Sequence, residues 1–261
     1  MSGHKIFESV KAMFIDLIDV FLDWPHAISE ALRPVIPDDN DRHRLLDQWQ
    51  QSFSLEYINA KSAGMKDDEW EGQRHERYSR LLHNLLEQRG VDMSLRSSIE
   101  HKDRAVETLY RLPAYDDAKD FNRAVKARGN EIDVIGLGDE TWRRMYDCVR
   151  MADLECFDAI WSKQNLDSDR IYGHALERVV LMPHEVMVVS CRDQDLRIAK
   201  DAEMRTVFVC RSLTPHQSHD DPNMGEIKLA ASRADFVVCN QLVHPGHGEA
   251  RGLDAILDEL V

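Results

Sequence analysis

Long hydrophobic runs are absent from this sequence of 261 residues. The longest, such as residues 185–190, extend over only a few positions, whereas a helix that crosses a membrane needs about 20 apolar residues. We therefore expect no membrane span and no membrane partner. The first residues also lack a basic region followed by an apolar stretch of signal length, so the expected location is cytoplasmic.

Cysteine and positive charge are also scarce. The 5 cysteines are scattered and never form a CxxC pair, which argues against a disulfide framework and against a zinc site. Lys and Arg total 33 against 47 Asp and Glu, a net charge of −14 that would repel a phosphate backbone. We therefore expect no nucleic-acid partner. With 43% hydrophobic and 31% charged residues, the composition is that of a folded globular protein.

The order of apolar patterns predicts a divided chain. Residues 12–16 form a short apolar run that ends in the carboxylate of Asp16, the pattern of a buried parallel strand. Residues 26–111 then contain no convincing strand, and their leucines recur at helical spacing among many charges. This stretch is interpreted as a helical insert.

Strands and helices alternate after Pro113. Apolar runs predict strands at 132–135, 186–190, 206–209 and 236–238, and helices are predicted at 117–128, 168–180, 193–203 and 252–260. This alternation predicts an α/β fold, a Rossmann-like three-layer parallel sheet core formed by residues 1–23 and 113–261, with an inserted α-helical cap at 24–112. In such sheets ligands bind at the carboxyl ends of the strands, where Asp16, Gly136 and Ser190 would meet.

The segment Phe14–Trp24 reads FIDLIDVFLDW. It resembles the first motif of the haloacid dehalogenase superfamily, in particular the type II 2-haloacid dehalogenase branch. Four more segments resemble later motifs of that family in the same order, at residues 124–139, 157–162, 166–172 and 188–211. The resemblance implies an α/β core with a helical cap, a small-molecule substrate and a homodimer.

The resemblance also implies catalytic roles. Asp16 corresponds to the family's nucleophile, which forms an ester that water then hydrolyses. Arg192 would stabilise charge, and so would Lys163 if it reaches the site. Ser190 and Asp195 would orient these groups.

Magnesium ligands of the family's phosphatase branch are replaced in this sequence. Position 18 is Ile instead of a second Asp, and the fourth motif begins with Ser190-Cys191 instead of a Gly-Asp pair. A phosphatase is therefore disfavoured, and we expect neither a metal nor another cofactor.

Several substrate-binding positions depart from the family pattern. A glycine, a threonine and a Ser-Asn pair of the family are replaced by Asp19, by Val20 and by Gly136-Leu137, and Gln50 follows Trp49 where the family has Arg. The substrate-binding positions that the resemblance implies are Asp19, Val20, Trp24, Gln50, Gly136, Leu137 and Tyr172.

Two functions remain open from the sequence. The first is a haloacid dehalogenase-like hydrolase that acts on a small 2-substituted carboxylic acid through an aspartyl ester. The alternative is a non-catalytic protein with the same fold and a role in binding, assembly or regulation. The two carboxylates Asp16 and Asp19 with Arg192 are compatible with both, because an ion-pair network can either support hydrolysis or only hold strand ends in place.

Overall fold

The computed structural model describes residues 7–129, 132–138, 140, 142–162, 171–211, 229–239 and 252–260. The chain divides into two compact units. An α/β unit comprises Met1–Leu22 and Ala114–Val261, and a helical unit comprises Asp23–Pro113.

The α/β unit contains a six-stranded sheet in which every neighbouring pair is parallel. Its strands in chain order are β1 Ala12–Asp16, β2 Asp133–Gly138, β3 Ala159–Ser162, β4 Val186–Ser190, β5 Arg205–Cys210 and β6 Phe236–Cys239. They are arranged as β3-β2-β1-β4-β5-β6, so β1 and β4 lie in the middle. Every residue of these two strands is buried, because helices cover both faces of a parallel sheet. The predicted α/β fold is thus confirmed.

Helices follow the strands along the chain. The helices of the α/β unit with both ends in the described part of the chain are α1 Leu17–Phe21, α6 Asp116–Arg128, α7 Trp142–Met151, α8 Ile171–Val179, α9 Asp193–Asp201 and α10 Asp254–Asp258. The first two residues of α6 are acidic and its last turn contains Lys126 and Arg128, which matches the helix dipole at both ends. Of the helix predicted at 168–180, the first three residues lie outside the described part of the chain.

The helical unit consists of α2 Trp24–Leu32, α3 Asp39–Ser62, α4 Asp67–Gln88 and α5 Arg96–Thr108. Leucines from several helices form its core, including Leu32, Leu45 and Leu82. Gly64 and Gly90 follow the ends of α3 and α4 with φ of 88° and 77°, the left-handed conformation that lets a chain leave a helix at low cost. Among the described residues, none of the helices has the length and apolar character required to cross a membrane.

Each unit is closed at the point where the chain passes to the other. In the α/β unit, Leu22 and Ala114 form an isolated antiparallel bridge, and the Tyr115 N–H donates to the Phe21 carbonyl at 3.0 Å. In the helical unit, the Asp23 N–H donates to the Pro113 carbonyl at 2.8 Å. The two chain ends of each unit therefore lie side by side.

Strand β3 was not among the predicted strands. Its four residues, AIWS, are all half-buried, and its apolar run is only three residues long. β3 lies at the edge of the sheet and pairs only with β2 among the described strands. An edge strand has one neighbour and buries less surface, so its sequence pattern is weak.

Candidate active site

The carboxyl ends of the two central strands bring Asp16 and Ser190 to one face of the sheet. Ile15 pairs with Val189, so the next residues, Asp16 and Ser190, lie at the same level. Side chains alternate along a strand, and Phe14 and Val188, two positions earlier, belong to one core cluster on this face. Asp16 is 4% exposed and Ser190 is fully buried.

Asp16 ends β1 and at the same time stands before the first turn of α1. It occupies the N-cap position of this helix with an extended backbone, φ −62° and ψ 103°. Asp19 and Val20 lie within the single turn that follows. The short helix therefore presents a second carboxylate three residues after the first.

Arg192 connects the two carboxylates. Its Nε atom lies 3.6 Å from Asp16 Oδ2 and donates to Asp19 Oδ2 at 2.6 Å. Its Nη2 atom also contacts Asp19 Oδ2. The guanidinium is therefore shared by both carboxylates but makes its shorter contacts with Asp19, which is 13% exposed in its side chain.

Ser190 and Asp195 fix the turn from which Arg192 extends. The Ser190 hydroxyl donates to Asp195 Oδ2 at 3.1 Å and accepts from the Arg192 N–H at 3.1 Å. Asp195 lies in the first turn of α9 and is 8% exposed. Because the hydroxyl is bound on both sides, it holds the end of β4 against the start of α9 and so limits where the Arg192 side chain can go.

Cys191 lies between Ser190 and Arg192 and is a thiol beside the carboxylates. Burial raises its pKa well above the ordinary value, and the negative charges of Asp19 and Asp16 raise it further. The thiol is therefore protonated at neutral pH. Since the thiolate is the reactive form of cysteine, Cys191 is not in its nucleophilic form at neutral pH.

The other implied substrate-binding residues of the α/β unit are almost fully buried. Val20 is 0% exposed, Leu137 3% and Tyr172 2%. Leu137 is the register partner of Asp16, so it lies beside Asp16 on the neighbouring strand. At Gly136 a Cβ atom would lie 3.3 Å from the Phe157 ring, so this position leaves little space for the serine that the family has there.

The remaining two implied substrate-binding residues, Trp24 and Gln50, lie in the helical unit. Trp24 opens α2 and packs against the leucine-rich core of that unit, whereas Gln50 is exposed on α3. Lys163 lies outside the described residues.

Sequence reasoning missed Arg211, which anchors the turn that contains Asp19. Arg211 follows β5 directly, and its Nε and Nη2 atoms donate to the Val20 carbonyl at 3.0 and 2.5 Å. Its Nη1 atom lies 2.9 and 3.0 Å from the two carboxylate oxygens of Asp117. The guanidinium also lies 4.0 Å from the centre of the Tyr115 ring. The available signal was an arginine at the end of a buried strand, within a segment that already matched a family motif.

In the described part of the chain, no group of three or more His, Cys, Asp or Glu side chains is placed to hold a metal ion.

Known proteins resemble this chain in structure but not detectably in sequence. No protein-family model and no curated protein sequence matches this chain. A dehalogenase solved as an intermediate complex has a TM-score of 0.67 and 19% identity, over 97% of this chain and 98% of its own. The L-2-haloacid dehalogenase from Xanthobacter autotrophicus has a TM-score of 0.60 and 19% identity, over 88% and 94%. This chain has the haloacid dehalogenase fold.

A second structure of the Xanthobacter autotrophicus L-2-haloacid dehalogenase has chloropropionic acid covalently bound. It has a TM-score of 0.59 and 18% identity, over 88% of this chain and 94% of its own. The structural similarity establishes the fold, whereas identities this low carry no catalytic residues over, so the chemistry of this chain depends on its own residues.

Proposed function

We propose that this protein is a cofactor-free hydrolase that acts on a small 2-substituted carboxylic acid through an ester on Asp16. The observation that carries the proposal is the placement of Asp16. Its carboxylate is buried at the end of a central strand, and a guanidinium nitrogen lies 3.6 Å from one oxygen. Burial disfavours an ionised carboxylate, and a neighbouring cation favours it, so the contact with Arg192 supports the ionised, nucleophilic form of Asp16 in this proposal.

The proposed reaction has two steps. In the first, an Asp16 oxygen attacks the carbon that carries the leaving group, a C–O bond forms, and the carbon–halogen bond breaks to release halide. In the second, water attacks the carbonyl carbon of the Asp16 ester. The ester bond breaks, the 2-hydroxy acid leaves, a proton passes to solvent, and the Asp16 carboxylate is restored.

The other charged and polar residues have supporting roles in this proposal. Arg192 stabilises the negative charge that develops on the ester carbonyl during water attack. Ser190 and Asp195 hold Arg192 in place through the hydrogen bonds at 3.1 Å.

Halide release and mass spectrometry test the proposal together. The protein is incubated with 2-chloropropionate and 2-bromopropionate, halide is measured, and acid-quenched samples are digested. We expect halide release and a mass increment on the peptide that contains Asp16. Asp16→Ala should lose both, whereas the control Asp116→Asn should keep both because that side chain is 98% exposed. Halide release that survives Asp16→Ala, or its absence in the unmodified protein, contradicts the proposal.

A second candidate function is binding without catalysis, and one observation favours it. Arg192 makes its shorter contacts with Asp19 and not with Asp16. A thermal-shift measurement with the same acids separates the two functions. A stabilised protein that releases no halide and forms no Asp16 ester is a binding protein.

A further inference from the structure

We infer that Asp19 competes with the carboxylate of an acidic ligand for Arg192 and thereby sets how strongly the site prefers an uncharged molecule to an anion. The inference takes the position of the substrate from the proposed function. It assigns to Asp19 a role in specificity and leaves the chemical step with Asp16.

The geometry of the pair supports this role. Two nitrogens of one edge of the guanidinium, Nε and Nη2, both contact the same oxygen of Asp19. This edge is one of the faces of arginine that bind a carboxylate through two parallel hydrogen bonds. An organic acid that uses the same edge must displace Asp19.

Both partners are held in place by other contacts. Arg192 extends from the turn that Ser190 closes, since the Arg192 N–H donates to the Ser190 hydroxyl. Asp19 lies on α1, and the next residue, Val20, has its carbonyl bound by two nitrogens of Arg211. Because α1 is only five residues long, fixing the Val20 carbonyl also restricts Asp19. The ion pair is therefore part of the folded α/β unit and not a chance contact of two long side chains.

The charges around Arg192 determine how strongly an acidic ligand can bind. Among the described residues, the carboxylates of Asp16 and Asp19 both lie next to Arg192, so negative charge already surrounds the guanidinium. A third carboxylate in this position meets two like charges within a partly buried environment, where they are weakly screened. An uncharged amide of the same acid does not meet this repulsion. Replacing Asp19 by Asn removes one negative charge and frees donors of Arg192 for the ligand.

Titration with propionate, an acid without a leaving group, tests the inference independently of catalysis. Isothermal titration calorimetry is carried out on the unmodified protein, Asp19→Asn, Arg192→Gln and the double variant. We expect Asp19→Asn to bind propionate about tenfold more tightly, equivalent to one strong charge-assisted hydrogen bond. In the Arg192→Gln background the same change should have less than about a twofold effect, because the group for which Asp19 and propionate compete is gone.

Two further variants keep the test specific. Asp193→Asn also removes one negative charge next to Arg192 in sequence, but Asp193 pairs with Arg233 at 2.6 Å. It should leave propionate binding within about twofold of the unmodified protein, since only long-range charge changes. Asp19→Ser is a second way to remove the carboxylate and should repeat the gain. Circular dichroism verifies that each variant is folded.

The inference is overturned if Asp19→Asn and Asp19→Ser bind propionate no more tightly than the unmodified protein, or if neither binds it. It is also overturned if the gain persists without Arg192. A kinetic comparison adds a second readout: the ratio of kcat/KM for 2-chloropropionate to that for 2-chloropropionamide should rise about tenfold in Asp19→Asn. If neither compound releases chloride, the proposed function fails, and the propionate titrations still decide the role of Asp19.

Discussion

Removing the Arg211 guanidinium should destabilise the α/β unit strongly. Arg211 and Asp117 have side chains that are only 7% and 11% exposed, and Arg211 also supplies two hydrogen bonds to the Val20 carbonyl. In Arg211→Ala the Asp117 carboxylate loses its cation, and the Val20 carbonyl loses both of these donors. Breaking one side of a buried ion pair costs about 3–5 kcal/mol, so we expect a loss of this size.

Arg211→Lys tests whether the positive charge of Arg211 or the planar shape of its guanidinium stabilises the protein. Lysine keeps the positive charge but lacks the planar fork that serves Val20 and Asp117 together, and it loses the flat contact with the Tyr115 ring at 4.0 Å. One or two hydrogen bonds to a charged group are then lost, and we expect about 1–3 kcal/mol of destabilisation.

Urea unfolding, followed by circular dichroism, measures both losses. The matched control is Arg233→Ala, which breaks the pair with Asp193, an ion pair of similar length whose side chains are 35% and 27% exposed. Partly exposed pairs contribute less, and we expect about 1 kcal/mol or below for this control. If Arg211→Ala costs no more than Arg233→Ala, then burial of the Arg211 pair does not stabilise the protein in the way argued here.

Two more predictions concern packing and pH. Gly138→Ala should destabilise the protein by about 1–3 kcal/mol in urea unfolding, since the new Cβ atom would lie 2.3 Å from Met145 Sδ, and a double variant with Met145→Ala should lose less than the sum of the single variants. Burial raises the pKa of Cys156 to about 12 from an unfolded value near 9, so the folded protein keeps a proton that the unfolded chain loses. The free energy of unfolding is therefore unaffected by Cys156 ionisation below pH 9 and falls above pH 9 by about 1.4 kcal/mol per pH unit. Cys156→Ala lacks this ionisation and should lose less stability than the unmodified protein between pH 8 and pH 10.

Three of the strands that the sequence predicted share one physical property. β1, β4 and β5 are buried over nearly their whole length, and such strands require continuous apolar runs that can be recognised without any other information. Of the two edge strands, β6 was predicted from its Phe-Val-Val run, whereas the half-buried β3 was missed. Fold class could be predicted from the central strands alone, whereas the full sheet order could not, because order depends on which strands meet in space.

Three charged residues at the strand ends could be named from the sequence, but the way they pair could not. Asp16, Asp19 and Arg192 were all identified as charged positions near the strand ends. That Arg192 contacts Asp19 at 2.6 Å and Asp16 only at 3.6 Å depends on a helix of one turn and on the anchoring of Val20 by Arg211. Residues 173 positions apart leave no local pattern, so their distance follows only from the assembled sheet.

The bridge between Leu22 and Ala114 has a consequence for the history of this architecture. Leu22 and Ala114 lie directly opposite each other, because the residues on either side of them are hydrogen-bonded, Phe21 to Tyr115 and Asp23 to Pro113. A peptide of a few residues therefore suffices to join them, and the entropy of closing so short a loop is small. The segment between them can thus be acquired, exchanged or deleted by a single recombination event without breaking a strand of the sheet.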